Sequence, residues 1–472
     1  MSSVSALNSL LSSTSSSSSS IDLSSILQAA LGSSSSGIDV TAAVNSAVTA
    51  ARAPETAWQN EETTLQSQTT ALTALQTDAT NLDNDMQNLN SIVGPLSART
   101  VTSSNSSVLS GSAASGSAAG NHDVVVTNLA TTASWASGTF ASASTLVPAG
   151  SFTITSGSGA SATVTTDGTQ TLSQVADQIN TDNVGVTARV VTDATGSRLA
   201  IVANSSGSAA NFTVSTGTAG FGFTQSATGN NASLTVDGIV ISSATNTVTG
   251  AIPGVTINLL GAAPGVDVTL GIAPDTSQAT TAIDQFVTDY NTMVTDLGTQ
   301  FTFNGTSEGV LASDSTVRNL QSQVLGALGY TYSPASGSTT VSNLTSLGIS
   351  VGDDGTLTVD SSTLQNALQS NFSDVQNFFQ GTSANGFANS LDQQLTSFIS
   401  PGDGAFTVDL QSISSQYTDA QNSISNFETN YITPLQTQLQ SEYSQAEILL
   451  QQLPSEMQQI NTELGLNNSS KS

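Results

Sequence analysis

Two G-x-S-x-G stretches, Gly305-Thr306-Ser307-Glu308-Gly309 and Gly348-Ile349-Ser350-Val351-Gly352, have the residue types of a serine nucleophile on a strand-to-helix turn. That chemistry needs a histidine base, and the chain has one histidine, His122. Ser307 reads as a loop residue and Ser350 as part of an extended stretch before a turn, so neither has the strand before it and helix after it that an elbow requires. His122 adjoins Asp123 at a strand start, the setting of a solvated or hydrogen-bonded surface side chain. Asp353-Asp354-Gly355 offers oxygen ligands but lacks the spacing of a calcium loop and reads as a β-turn. Phe378-Phe379 reads as core. The residues therefore point to no catalytic, cofactor-binding or metal-binding site, and the expectation is a protein that is not an enzyme.

Composition narrows the partners. The 34 acidic residues against 6 basic ones give a net charge of -28. Arg52, Arg99, Arg189, Arg198, Arg318 and Lys471 are scattered singly, so no patch can neutralise several phosphates. Nucleic acid is not an expected partner, nor is an anionic membrane surface. There is no cysteine, which removes disulfides and thiol chemistry. No apolar run approaches a membrane span, and the first basic residue is Arg52, so a cleavable signal with a basic start is not expected. Abundant Ser, Thr, Ala, Asn and Gly suit a secreted surface, reached by a route that does not read such a signal.

The side chains with a strong pattern are apolar, and they belong to the two ends. Phe406, Leu410, Ile413, Tyr417, Ala420, Ile424, Phe427 and Tyr431 alternate at four and three, one stripe of a helix. Successive fours follow through Leu435, Leu439 and Tyr443, with Pro434 inside that irregular run, and the alternation resumes at Ala446, Leu450, Leu453, Met457, Ile460 and Leu464. A helix of this length would extend on the order of 85 Å and needs a partner rod. At the other end Val44, Ala51, Trp58, Leu65, Leu72, Ala79, Met86 and Val93 recur every seventh residue. The intervening positions are poor at Ala47, Pro54, Glu61 and Gln68 and good at Leu75, Leu82 and Leu89. The spacing predicts an antiparallel seam with Leu65-to-Val93 against Phe406-to-Tyr431, leaving the later C-terminal helix only Ala47, Ala51 and Pro54.

Between the ends the period changes from seven to two. Residues 1–36 are serine-rich and are expected to be disordered. Asp39 or Thr41 caps the first helix, Pro54 interrupts it, and Gly94-Pro95 ends it, giving an N-terminal helical leg over 37–98. Strands are predicted at Asp123–Thr127, Ser151–Thr155, Gly185–Val191, Leu199–Ala203, Phe212–Ser215 and Leu234–Val236, with turns at Asp167-Gly168 and Asp237-Gly238 and one short helix over Ser173–Asn180. The section divides into an inner β domain of 99–148 plus 231–273 and an outer β/α domain of 149–230. A mixed helical and β leg domain follows over 274–405, and 406–472 is the C-terminal coiled-coil helix. The fold class is α+β and multidomain: terminal helices form a leg, with antiparallel β-rich heads inserted between them.

These residues resemble the flagellar filament cap proteins, the flagellar hook-associated protein 2 family, from Gly37 to Leu464. Gly37-Ile38-Asp39 before a helix with Pro54, and Gly120 with Val124-Val125-Val126-Thr127-Asn128-Leu129-Ala130, look like the family's opening and its entry into the β section. Ile179-Asn180 with Gly185-Val186-Thr187-Ala188 is similar to a motif shared by flagellin and hook proteins. Asp237-Gly238, Asn246-Thr247-Val248 and Ile252-Pro253-Gly254-Val255-Thr256 resemble the family's strongest signature. Tyr290-Asn291, Gly309-Val310-Leu311 with Asp314, and Leu347-Gly348-Ile349 with Asp354-Gly355-Thr356-Leu357 complete the likeness. The long serine-rich leader, the absence of basic residues from the C-terminal helix and Pro454 near its end depart from it.

The resemblance implies a secreted, extracellular protein at the distal tip of a bacterial flagellum. It implies a ring-shaped homo-oligomer of about four to six subunits, legs down and heads outward. Such a ring prevents leakage of exported flagellin and promotes its folding and polymerisation, hence motility. Implied partners are the protein itself, flagellin, hook–filament junction proteins and an export chaperone; no cofactor is implied. The assembly seam would be Leu65, Leu72, Leu75, Leu82, Met86, Leu89, Ile413, Tyr417, Ile424, Phe427, Tyr431, Leu435, Leu439, Tyr443, Leu450 and Leu453. The alternative is an adhesin whose Ser/Thr-rich heads bind mucus or a host surface.

Overall fold

The computed structural model describes residues 39–463, apart from 216, 219, 303–307, 335, 336, 338, 383 and 384 and the side chains of Leu450, Leu453 and Asn461. The expected disorder of 1–36, the Ser307 motif and Leu464 fall outside the described residues. The chain divides into two compact units: residues 1–81, 292–324 and 394–472, and residues 82–291 with 325–393.

Asp39 caps helix α1 (Val40–Ala51), its Oδ1 accepting from the Ala42 N–H at 2.9 Å. A single turn residue, Arg52, separates α1 from α2 (Ala53–Asn90). Pro54 sits in the first turn of α2, where its missing N–H costs nothing. Helix α2 stops at Asn90, and Pro95 opens a short 3-10 turn, leaving Ile92 and Val93 exposed. The expected seam position at Val93 is therefore not helical. The local reason is the Gly94-Pro95 pair.

The middle of the second unit is β. A five-stranded antiparallel sheet runs in the order Arg99–Ser103, Val268–Pro274, Gly120–Asn128, Ala232–Val236, Ile239–Ser243. Its apolar face shares one core with the three-stranded sheet of Thr247–Ile252, Val255–Leu259 and Leu109–Ala113. Asp237 and Gly238 both take positive φ, 51° and 81°, in the tight turn between Ala232–Val236 and Ile239–Ser243. The outer core is built on Gly150–Ser156 with Ser161–Thr166 and Phe212–Ser215, and on Val186–Asp193 with Gly196–Ala203, Ser134–Ala136 and Thr224–Ala227. Against it lies α3 (Leu172–Asp182), which opens on a capping box of Thr171 and Gln174 and buries Leu172, Val175, Ala176 and Ile179. This core takes in Ala133, Trp135, Phe140 and Val147, upstream of the expected boundary at 149. The chain therefore enters the outer core near residue 130, because Ser134–Ala136 pairs with Gly196–Ala203.

Side-chain amides do part of the work of strands. Asn180 exchanges both hydrogen bonds with the backbone of Ala188 (2.8 and 2.9 Å), and Asn246 does so with Ala130 (2.7 and 3.1 Å). Asn211 clips Gly229 (2.8 and 2.9 Å), and Asn291 clips Leu357 (2.6 and 2.8 Å). Three of these asparagines lie in the motifs that carry the family resemblance, so those motifs are architectural.

After Pro274 come α4 (Thr276–Phe301), α5 (Ser315–Ala327), a two-stranded ribbon of Ile349–Val351 and Leu357–Val359, α6 (Ser361–Ser370), α7 (Phe372–Gln380) and α8 (Phe387–Ile399). Asp360 caps α6 through the N–H groups of Ser362 and Thr363. Gly348 has φ +80°, and a Cβ there would meet the Asp360 carbonyl at 3.0 Å, so glycine is required. Phe286, Tyr290, Phe378, Phe379 and Phe387 form a buried aromatic cluster. The last described elements are α9 (Ala405–Phe427), a π-turn over Glu428–Ile432 and α10 (Thr433–Glu463).

Candidate functional site

The terminal helices meet within the first unit, and the groove between α2 and α9 fixes their register. Gln66, Thr69, Thr70 and Thr73 line it opposite Leu410, Ser414 and Tyr417. Gln76 faces Thr407 and Gln411. The Gln66 Nε2 donates to Tyr417 Oη at 3.0 Å, and Trp58 meets Phe427 edge-on at 5.5 Å. The helices are antiparallel, as the heptads predict, but the partner of α9 is Trp58-to-Gln76 and not Leu65-to-Val93. This slip hands the first turns of α10 to α1: Val44, Val48 and Ile432 form a core, with Val40, Ala51, Leu439 and Tyr443 packed around it.

Both helices break at one level. Arg52 interrupts the N-terminal helix, and the π-turn interrupts the C-terminal one, its Thr433 N–H reaching back to the Glu428 carbonyl. Pro434 explains the break: it has no N–H to donate and its ring crowds the carbonyl four residues earlier. The Arg52 guanidinium bridges Glu55 and Glu428, Nη2 donating to Glu428 Oε1 at 2.8 Å. Those hydrogen bonds, Glu428 first, raise its already high pKa. Phe427 stacks on Tyr431 at 5.1 Å beside Trp58.

The predicted seam residues therefore divide. Leu65, Leu72, Leu75 and Ile413 are buried, and Tyr417, Ile424, Phe427, Leu435, Leu439 and Tyr443 are half-buried in the first unit. Leu82, Met86 and Leu89 are also buried, but they belong to the second unit, where Gln380 of α7 donates to the Leu89 and Ser91 carbonyls. Tyr431 is 51% exposed, while its neighbour Ile432 is fully buried. The extra residue of the π-turn rotates the stripe by one position. The run of fours and Pro434 signalled an irregular turn here but not which residue would enter. The sequence reading missed Ile432 and Val48. The side chains of Leu450 and Leu453 are outside the described residues. Farther along α10, Ile448, Leu449, Met457 and Ile460 are each more than half exposed.

The described residues that the sequence singled out for chemistry make local contacts. A His122 ring nitrogen approaches Asp237 Oδ2 at 2.7 Å, and Asp237 Oδ1 accepts from the Asp123 N–H. His122 holds Asp237 and its backbone neighbour holds the same carboxylate, which keeps Asp237 below the usual carboxylate range. Ser350 lies in the strand Ile349–Val351 and shares a hydrogen bond with Thr358. Asp354 closes a turn, accepting from the N–H and hydroxyl of Thr356. Among the described residues no group of three or more His, Cys, Asp or Glu could hold a metal ion, and no helix is long and apolar enough to cross a membrane.

Profiles of one protein family match both ends of the sequence: "Flagellar hook-associated protein 2 N-terminus" over residues 36–133 and "Flagellar hook-associated protein 2 C-terminus" over residues 229–455. A "Flagellin hook IN motif" profile matches residues 151–205. The A-type flagellar hook-associated protein 2 of Pseudomonas aeruginosa is 32% identical over 179 residues, 36% of this chain and 36% of that protein. The flagellar hook-associated protein 2 of Escherichia coli O157:H7 is 34% identical over 190 residues, 38% of this chain and 40% of that protein. These alignments thus span well under half of the curated relatives. The crystal structure of the D1-D2-D3 domains of the flagellar cap protein FliD from Escherichia coli superposes with a TM-score of 0.58 at 27% identity, covering 73% of this chain and 99% of that one. With its terminal helices, its β-rich middle and the family's N- and C-terminal profiles all in chain order, the chain belongs to the flagellar hook-associated protein 2 family.

Proposed function

We propose that this protein caps the growing flagellar filament at its distal tip, as a secreted ring-shaped homo-oligomer that keeps exported flagellin from leaking and promotes its folding and polymerisation. The observation that carries this reading is the unfinished helix α10. Val40-to-Ala51 faces its first turns, whereas Ile448, Leu449, Met457 and Ile460 are exposed. At ~1.5–3 kcal/mol for each large apolar side chain, these exposed side chains favour burial against neighbouring subunits or the filament. The break at Arg52 and the π-turn gives the leg a place to bend as subunits are added. Flagellin, the hook–filament junction proteins and an export chaperone are the proposed partners, the last because a subunit with an unpaired leg is liable to self-associate before export. The adhesin alternative gains no support, since Phe152, Phe221 and Phe223 of the outer β section are core.

Deleting residues from Leu435 onward tests the proposal. Cells carrying the truncation should export flagellin into the medium unpolymerised while the β section stays folded. Filaments of normal length would remove the distal helix from the mechanism.

A further inference from the structure

The last turns of α2 turn carboxylates inward, and among the described residues no ion pair reaches them. Asp83 is 5% exposed; its Oδ2 accepts from Gln87 Nε2 at 2.8 Å, and its Oδ1 is buried without a hydrogen-bond donor. Asp85 Oδ2 is likewise buried without a donor. Each side chain faces another acid: Asp83 faces Asp392 on α8, and Asp85 faces Asp289 on α4. Among the described residues the hydrogen bonds to this stretch come from amides, and Asp78, nearer the middle of α2, also has a buried carboxylate oxygen. Gln285 donates to Asp289 Oδ2, and α7 supplies Gln376 and Gln380, which bond each other and nearby polar groups. Asp284 on α4 is exposed. The basic residues are engaged elsewhere: Arg99 with the carbonyls of Ser97, Ala98 and Ser117, Arg318 with those of Ala312 and Ser313, and Arg52 with Glu55 and Glu428. Arg189 and Arg198 lie on outer β strands, and Lys471 is outside the described residues.

Asp83 is buried, and Asp85, Asp289 and Asp392 are half-buried; two carboxyl groups facing each other with so little water between them cannot both ionise without desolvation and mutual repulsion, and a shared proton removes both costs. We infer that the Asp83–Asp392 and Asp85–Asp289 pairs form a proton-dependent clamp: with one proton each they fasten the end of α2 to α8 and α4, and losing those protons loosens that packing. Burial, then the facing carboxylate, pushes Asp83 up to about 6. Burial, then the carboxyl of Asp289, pushes Asp85 up to about 7. These values lie above those of the unfolded chain, so the folded state binds more protons between about pH 4 and pH 7. The clamp's contribution is full below the unfolded carboxylate value and is lost as pH rises through about 6 and about 7.

The test compares thermal unfolding of the full-length protein at about pH 5 and about pH 8. Asp85→Asn and Asp289→Asn remove the charge from either side of one pair, and Asp83→Asn and Asp392→Asn do so for the other. Each should raise Tm by about 2–4 °C at the higher pH and change it little at the lower. Asp177→Asn, an exposed change on α3, separates the clamp from the general effect of the net charge. Equal losses at both pH values, or the same pH-selective gain in Asp177→Asn, overturn the inference. Should the α2 variants fail to fold, the α4 and α8 variants carry the test. The infrared C=O band of a protonated carboxyl in the unaltered protein at about pH 6 is a further check, and its absence also overturns the inference.

Discussion

The β section and the terminal helices have solved the problem of burial differently. In the β section, alternating side chains from paired sheets are buried, and asparagine amides close the places where strands do not reach. In the α2–α9 groove the facing residues are Gln66, Thr69, Thr70 and Thr73, and Tyr417 is only half-buried. The lesson concerns independence. A segment whose apolar surface is consumed internally folds alone, whereas a helix pair that buries Leu65, Leu72 and Ile413 yet lines its groove with threonine and glutamine keeps surface for others.

The largest effect expected from this contrast is all-or-none. A fragment from Arg99 to Pro274 should melt cooperatively with β-type circular dichroism, while α9 and α10 alone should be largely unstructured. A disordered spectrum from the β fragment would erase the distinction. Next, Asn246→Ala orphans the N–H and carbonyl of Ala130, at ~1–3 kcal/mol for each unsatisfied group. Urea denaturation should register about 2–4 kcal/mol, and a loss under about 0.5 kcal/mol would show that water replaces the amide. In the leg, Ile432→Ala should cost about 2–5 kcal/mol, the range for a buried aliphatic truncation. Tyr431→Ala should cost under about 1 kcal/mol because that ring is half-exposed. Equal losses at the two positions would place the stripe where an unbroken helix puts it. The smallest effect belongs to Arg52→Ala. Its ion pairs are partly solvated, with side-chain exposures of 35% for Arg52 and 42% for Glu428, so a stability change below about 1 kcal/mol is expected. The same substitution should still increase amide exchange in the π-turn, and unchanged exchange there would argue against a hinge at this level.

What the sequence determined by itself was local. The change of period from seven to two marks where helices give way to strands, because side-chain direction follows backbone geometry residue by residue. Asp39 and Asp360 announced their helices through carboxylates placed to accept first-turn N–H groups, and Asp237-Gly238 announced a turn of positive φ. Tertiary structure alone decided what each pattern was for. The stripe of α1 and α2 reads as one seam from Val44 onward, yet its residues up to Asn81 belong to one unit and those from Leu82 to the other. A heptad records that a face is apolar but not which helix covers it. Only the π-turn selects Ile432 over Tyr431, since that choice depends on how Pro434 disposes of a carbonyl it cannot satisfy. The partners of Asn246 and Asn291 lie 116 and 66 residues away. The carboxyl pairs likewise join α2 to acids about 200 or more residues later in the chain, a juxtaposition that exists only once nonlocal packing has brought them together.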